Sequence, residues 1–444
     1  MTARGGRPRV LILAESSNPE WTSVPLVGWS HARALSEIAD THVVTHVRNR
    51  DAFLRAGLAE GRDFTAVDSE AVARPAYVLA EKLRGGAGRG WTMISAFTSF
   101  SYYYFEHLVW RRFGRAIRNR DFDVVHRLTP LSPVTPSLIA SDCRRAGVPF
   151  VLGPLNGGVP WPRGFDSARR REREWLSYVR GAYRMLPGYR STLRDSAAVL
   201  VASRDTWAQI PESLRKRCVY IPENAVDPAR FPIPAPRSPG PRLRLIFLGR
   251  LVPYKGAHLL LEAAASILKE DRAELVVVGD GPEREPLERL VAELGVGRNV
   301  RLLGWVDQTR VHRHLEEADV LAFPSIREFG GAVAIEAMAA GAVPIVMDYG
   351  GPGELVTPST GYLLPMGPRG SIIEQLRTLL GELAAEPSRL EARRAAGLRR
   401  IRACFTWRAK ARQVLEVYRW VLGARADKPD FGMPLREPAD IAPA

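Results

Sequence analysis

Residues 328–336 read Glu328-Phe329-Gly330-Gly331-Ala332-Val333-Ala334-Ile335-Glu336, two carboxylates bracketing a Gly-Gly pair at a helix start. Upstream of them stand Gly249-Arg250 and Lys255-Gly256. Each part has its own chemical use. Glu328 lies in a loop. The glycine amides open a helix whose positive end suits a diphosphate, and Glu336, farther along that helix, is within reach of ribose hydroxyls. Together they describe a grip for a nucleotide sugar.

Around this stretch, short β-rich runs alternate with helical patterns: 9–14, 41–47, 123–126, 150–153 and 198–202 in the first half, then 244–249, 274–279, 300–304, 320–324 and 343–347 in the second. Strand, loop and helix repeated in this way predict an α/β chain with parallel sheets covered on both faces. Six prolines between Pro228 and Pro241 predict a semi-rigid linker over 228–241, dividing a first domain, 1–227, from a second, 242–406. A helix follows over 407–423, and the tail 424–444 loses periodicity and is expected to fray.

The 444 residues, 46% hydrophobic, are enough for two cores. Of 63 basic residues six are lysines, and the surplus over 48 acids gives a net charge of +15. That charge favours anionic partners, although an arginine-rich genome would produce it too. Three scattered cysteines, Cys143, Cys218 and Cys404, form no Cys-x-x-Cys pair, and the apolar run 10–14 is too short for a signal peptide, so a cytoplasmic setting is expected.

Residues 91–110 carry eight aromatics and one formal charge, Glu106. Phe97, Phe100, Tyr104 and Leu108 recur at helical spacing, which predicts an amphipathic helix rather than a membrane span. Arg111, Arg112, Arg115, Arg118 and Arg120 follow at once, and a second cluster runs from Arg163 through Arg169, Arg170, Arg171, Arg173, Arg180 and Arg184 to Arg194. Two readings stand: peripheral docking on the inner face of an anionic membrane, or aromatics lining a core beneath a solvated basic face.

The motifs Gly249-Arg250, Lys255-Gly256, Gly279-Asp280-Gly281-Pro282, Glu328 to Glu336, Gly350-Gly351-Pro352-Gly353-Glu354 and Thr360-Gly361-Tyr362 cover nearly all of the second half. They closely resemble the retaining GT-B glycosyltransferases of family four, the type carrying the group 1 C-terminal motif. Weaker support comes from Asp123-Val124-Val125-His126, the turn from Gly153 to Gly158, Ile221 to Asp227, and Gly28-Trp29, similar to a subgroup linked with polysaccharide assembly.

The resemblance implies a GT-B fold, two Rossmann-like domains whose parallel sheets face each other across a central cleft, with the first domain binding the acceptor and the second the donor. The 407–423 helix is expected to return to the first domain. Arg250 and Lys255 would hold the donor diphosphate and Glu336 the ribose. Glu328 would contact the transferred sugar, with the backbone of Phe329, Gly330 and Gly331 assisting, while Gly249 and Gly281 permit close backbone approach. His126 would stand at the mouth of the acceptor domain, hydrogen-bonding the donor sugar. Anomeric configuration would be kept by front-face substitution, with no metal and no cofactor beyond the nucleotide-sugar co-substrate. The acceptor would be a glycan, a lipid-linked sugar or a natural product; nucleic acid is not expected.

Two departures from the family pattern stand out. The linker motif has Asn224-Ala225 in place of Asn-Gly, and the first loop, Ser16-Ser17-Asn18-Pro19-Glu20, lacks the paired glycines of many relatives. Gly28 is expected to supply the missing backbone approach. Asp121-Phe122-Asp123 spells the Asp-x-Asp of metal-dependent transferases but precedes a buried strand. Gly85 to Gly90 mimics a dinucleotide loop without a preceding strand. The rival functions are a nucleotide-sugar hydrolase or epimerase on the same fold, and a non-catalytic basic module that binds lipid or nucleic acid.

Overall fold

The computed structural model describes residues 6–72, 74–75, 91–162, 164–165, 182–234 and 240–437. The glycine-rich stretch 85–90, and the second arginine cluster from Arg163 to Arg180, lie outside these residues.

The chain forms two units. The first comprises Met1–Gly158, Glu172–Glu223 and Trp407–Met433; the second comprises Val159–Arg171, Asn224–Thr406 and Pro434–Ala444. In the first, strands β1 (Arg9–Ala14), β2 (Asp40–His46), β3 (Phe64–Val67), β4 (Val124–Thr129), β5 (Phe150–Leu155), β6 (Ala198–Val201) and β7 (Cys218–Tyr220) make one sheet in the order β3-β2-β1-β4-β5-β6-β7. In the second, β8 (Leu243–Leu248), β9 (Ala273–Val278), β10 (Val300–Gly304), β11 (Val320–Phe323), β12 (Val343–Met347) and β13 (Tyr362–Leu364) run β10-β9-β8-β11-β12-β13. Every strand pair is parallel. Strand order reverses at β1/β4 and at β8/β11, the places where open α/β sheets bind ligands beyond their carboxyl ends.

All ten strands expected from the sequence are present. The three it missed, β3, β7 and β13, are sheet edges of four, three and three residues. Strands buried on both faces read as continuous apolar runs, whereas short edge strands do not. Within β1 the side chains alternate: Leu11 and Leu13 enter one core, and Val10, Ile12 and Ala14 the other.

The aromatic stretch lies in the helix Trp91–Arg118. Tyr102, Phe105, Val109 and Ile117 are its core face, offset from the expected stripe of Tyr104 and Leu108, which are half-buried. The core-lining reading therefore holds for this face. Arg111, Arg112, Arg115, Arg118 and Arg120 are all exposed. Among the described residues no helix is long and apolar enough to cross a membrane.

Three boundaries need correction. Val159–Arg171 belongs with the second unit, not the first. The linker is not free over 228–234: Phe231 packs on the second core, and Pro234 Cγ would lie 3.2 Å from a Cβ on Gly341. The tail is packed as far as Leu435, since Lys428 Nζ donates to the Cys218 carbonyl at 3.1 Å and Arg400 Nη1 to that of buried Leu435 at 2.9 Å.

The C-terminal helix Trp407–Val421 covers one face of the first sheet through Ala411, Val414, Val417 and Tyr418. Tyr418 is keyed there by a buried imidazole. His126 Nε2 lies 2.6 Å from the Gly153 carbonyl and Nδ1 lies 2.6 Å from the Tyr418 hydroxyl. A carbonyl only accepts, so Nε2 carries the proton and the hydroxyl donates to Nδ1. Burial holds His126 neutral, its pKa lowered to about 4. Nearby His31, 1% exposed and with neither ring nitrogen hydrogen-bonded among the described residues, is lowered to about 3 by burial first, then by His126 and Lys410.

Unfolded imidazoles take up protons below about pH 6.5, whereas these two stay neutral well below that, so their contribution to stability falls as pH falls. Half-buried Glu15 and buried Glu106, both raised to about 7 chiefly by desolvation, act in the opposite sense over the same window. The contrast between variants isolates the imidazole. His31→Met is expected to gain on the parent by up to about 1.4 kcal/mol per pH unit between pH 6.5 and 4, read as the difference in thermal unfolding. A difference that does not change with pH would refute it.

Candidate functional site

The predicted donor residues converge on loops at the carboxyl ends of β8, β9, β11 and β12. Gly249, with φ +154°, ends β8 and delivers exposed Arg250. A short turn, Pro253–Lys255, then presents Lys255, whose ammonium bonds the Glu328 carboxylate and lies 5.1 Å from the centre of the Phe323 ring. Both partners of this ion pair are largely shielded, with side chains 16% and 17% exposed. In that setting the attraction exceeds what a surface pair provides.

After Glu328 the chain turns through Gly331, at φ +66°, into the helix Ala332–Ala339. The amides of Phe329, Gly330 and Gly331 donate to no acceptor among the described residues. Free amides at a helix start, beside a lysine, are a concentration of positive potential. The carboxylate of Glu336, half-buried one turn into the helix, makes no hydrogen bond among the described residues. Burial raises its pKa, and the charge of Arg230 offsets part of that shift. Arg230, from the proline-rich segment, escaped the sequence reading.

The loop is held in place by backbone pressed on backbone. Gly351 N donates to the Glu328 carbonyl at 3.1 Å. A Cβ on Gly350 would lie 2.3 Å from the Glu328 oxygen, and one on Gly351 would lie 2.2 Å from the Phe329 oxygen. The Gly350-Gly351-Pro352-Gly353 motif thus serves to let one loop lie against another. Gly281 has the same use: a Cβ there would meet the Leu251 carbonyl at 2.4 Å, and its amide bonds the Asp280 carboxylate at 2.7 Å. Its bare Cα faces protein backbone, not a ligand as expected.

Two predicted residues do not join this group. His126 is buried in the first unit with both ring nitrogens engaged as described above, so it is not offered to a sugar. Gly28 lies inside the helix Val24–Ser36, not in a loop, and a Cβ on it would sit 2.3 Å from the Ser16 carbonyl. It brings that helix onto the loop after β1; it does not admit a phosphate. Asp123 pairs with Arg9 at 2.9 Å, at the amino end of β4 and away from the ligand end of the sheet.

The sequence reading also missed Arg327 and Glu15. Arg327 is 7% exposed, its guanidinium 4.8 Å from the Trp161 ring centre and 4.9 Å from that of Phe329. Its place directly before Glu328 was the available signal. Glu15, at the carboxyl end of β1, is held near neutrality by burial.

The family model described as glycosyl transferases group 1 matches residues 233–395. A GDP-mannose-dependent alpha-(1-6)-phosphatidylinositol monomannoside mannosyltransferase of Mycolicibacterium smegmatis is 30% identical over 292 residues, covering 60% of this chain and 72% of that protein. The chain belongs to the glycosyl transferases group 1 family. An uncharacterized glycosyltransferase of Methanocaldococcus jannaschii is 40% identical over 112 residues, 25% of this chain and 29% of that one. The chain spans less than half the length of the first three curated relatives it matches, at 29%, 42% and 42%. In fold, a glycosyltransferase from Rickettsia africae superimposes with a TM-score of 0.61 at 15% identity, over 94% of this chain and 99% of that one. The architecture of this group 1 chain is GT-B.

The glycine contacts yield a direct expectation. Gly351→Ala has no rotamer with which to escape a backbone oxygen at 2.2 Å, so the Glu328 loop must move. A loss of about 1–3 kcal/mol is expected by denaturant unfolding, together with faster hydrogen exchange over residues 328–331. Parent-like behaviour in both assays would refute the loop-on-loop packing.

Proposed function

We propose that this chain transfers a hexose-type sugar from a nucleoside-diphosphate donor to an acceptor hydroxyl with retention of anomeric configuration. The observation that carries this reading is the set of amides at Phe329 to Gly331, without an acceptor among the described residues, between the Lys255–Glu328 ion pair and the half-buried carboxylate of Glu336, at the strand-order reversal of β8 and β11. In this reading Arg250, Lys255 and the amides take the diphosphate, Glu336 takes the ribose, and Glu328 takes the sugar.

The acceptor oxygen attacks the anomeric carbon on the face from which the diphosphate departs. As the bond from carbon to phosphate oxygen breaks, the acceptor proton passes to the leaving phosphate, so no protein nucleophile is needed. Negative charge grows on the leaving group and is met by Arg250 and Lys255, the service a divalent metal gives elsewhere. A diphosphate would compete with Glu328 for the Lys255 ammonium, and the freed carboxylate would then turn to the sugar. His126 has no part in this scheme.

For the acceptor we favour a lipid-linked glycan in cell-surface polysaccharide or glycolipid assembly, handled at the cytoplasmic face of the membrane. The M. smegmatis relative is by name a phosphatidylinositol monomannoside mannosyltransferase, and the exposed arginines from Arg111 to Arg120 suit an anionic surface.

Thermal-shift and hydrolysis screens with UDP, GDP, ADP and TDP, and with their common sugars, test the donor site. One nucleotide class is expected to raise the melting point, with or without chelator. Glu336→Ala should weaken that shift, whereas Arg250→Ala should mainly lower turnover, by about 10- to 1,000-fold. If no nucleotide shifts the melting point, or both variants match the parent, this reading fails.

A further inference from the structure

Residues 159–161 come from the first half of the sequence yet belong to the second unit, and they touch three of its ligand-end loops. The Val159 carbonyl accepts from Arg327 Nε at 3.2 Å, and the Pro160 carbonyl from the Tyr349 hydroxyl at 2.9 Å. The Trp161 ring stacks over the Arg327 guanidinium and meets Tyr254 edge-on at 5.9 Å. Each partner is next to a residue that matters: Tyr254 precedes Lys255, Arg327 precedes Glu328, and Tyr349 precedes the glycine turn that bonds the Glu328 carbonyl.

Burying a guanidinium is costly, and an apolar side chain would fill the same volume without that cost. What the arginine adds is a flat cation with directed donors, able to lie between two rings while bonding a carbonyl at its edge. Phe329, the second ring of the sandwich, belongs to the same loop as Glu328 and the free amides.

We infer that Arg327 is a positioning residue: it clamps the 159–161 strap across the loops after β8, β11 and β12, and so sets Glu328 and Lys255 in register with each other. This rests on the donor-site reading given above. The strap acts through geometry and does not touch the nucleotide, so it governs the chemical step more than nucleoside-diphosphate affinity.

The test compares the parent with Arg327→Met, Arg327→Lys, Trp161→Ala and Trp161→Phe in the full chain, by two independent readouts. Hydrogen exchange, with no donor present, is expected to speed up at least about fivefold at 326–331 and 349–356 in Arg327→Met, with the β8 and β9 strands unchanged. In sugar transfer, kcat is expected to fall on the order of 10- to 100-fold while nucleoside-diphosphate affinity stays within roughly threefold. Arg327→Lys should not rescue, because a compact ammonium cannot bridge two rings, whereas Trp161→Phe should recover most of what Trp161→Ala loses. Unchanged exchange together with unchanged turnover overturns the inference. So does exchange that accelerates over the whole unit with affinity and kcat falling together, which marks a merely structural arginine. If the parent transfers no sugar from any donor, the functional reading fails by itself, and the exchange data still decide whether the clamp exists.

Discussion

In a parallel sheet every strand-end loop emerges on the same edge, and in the second unit those loops touch backbone to backbone. A Cβ on Gly279 would lie 1.9 Å from the Gly249 carbonyl, and one on Gly256 2.4 Å from that of Pro324. With the Gly350 and Gly351 contacts on Glu328 and Phe329, these form a set of approaches that only missing side chains permit. The path of the Glu328 loop is thereby determined by its neighbours. Its amides and carboxylate are left with no structural duty beyond the bond to Lys255, which is the condition a binding group needs.

The first unit uses polar chemistry differently. Glu106 is spent on the Ser137 hydroxyl and on the amides of Leu138 and Ile139, at the start of the helix Ile139–Ala146. Arg127 is spent on the carbonyls of Thr135, Pro130 and Ser132 in the loop after β4. His126 is spent on Gly153 and Tyr418. Groups that would look catalytic on a surface are here the internal struts of a loop and of the C-terminal helix, desolvated and therefore in need of partners.

Much of the fold was legible because strands buried on both faces are apolar without interruption, as in Val10 to Ala14 or Val343 to Met347. The edge strands β3, β7 and β13 escaped because three or four residues are too short a run to carry such a signal. The candidate donor group was legible where its motif is contiguous, from Glu328 to Glu336, since spacing along one loop and one helix is preserved on folding. His126 and Gly28 were misread for a common reason: a position on a strand or helix does not say which way it faces. His126 turned into the core, and Gly28 met a carbonyl.

By itself the sequence determined the alternation of strands and helices, the place of the candidate donor motifs at strand ends, and the chemical character of Arg250, Lys255, Glu328 and Glu336. Those properties are local, arising from side-chain chemistry and the periodicity of the backbone. Only the tertiary structure decided that Lys255 meets Glu328, that Arg230 lends its charge to Glu336, and that residues 159–161 join the second unit through Arg327 and Tyr349. Contacts between residues far apart in the chain depend on how loops of parallel strands crowd at one edge, and no run of neighbouring residues encodes that geometry.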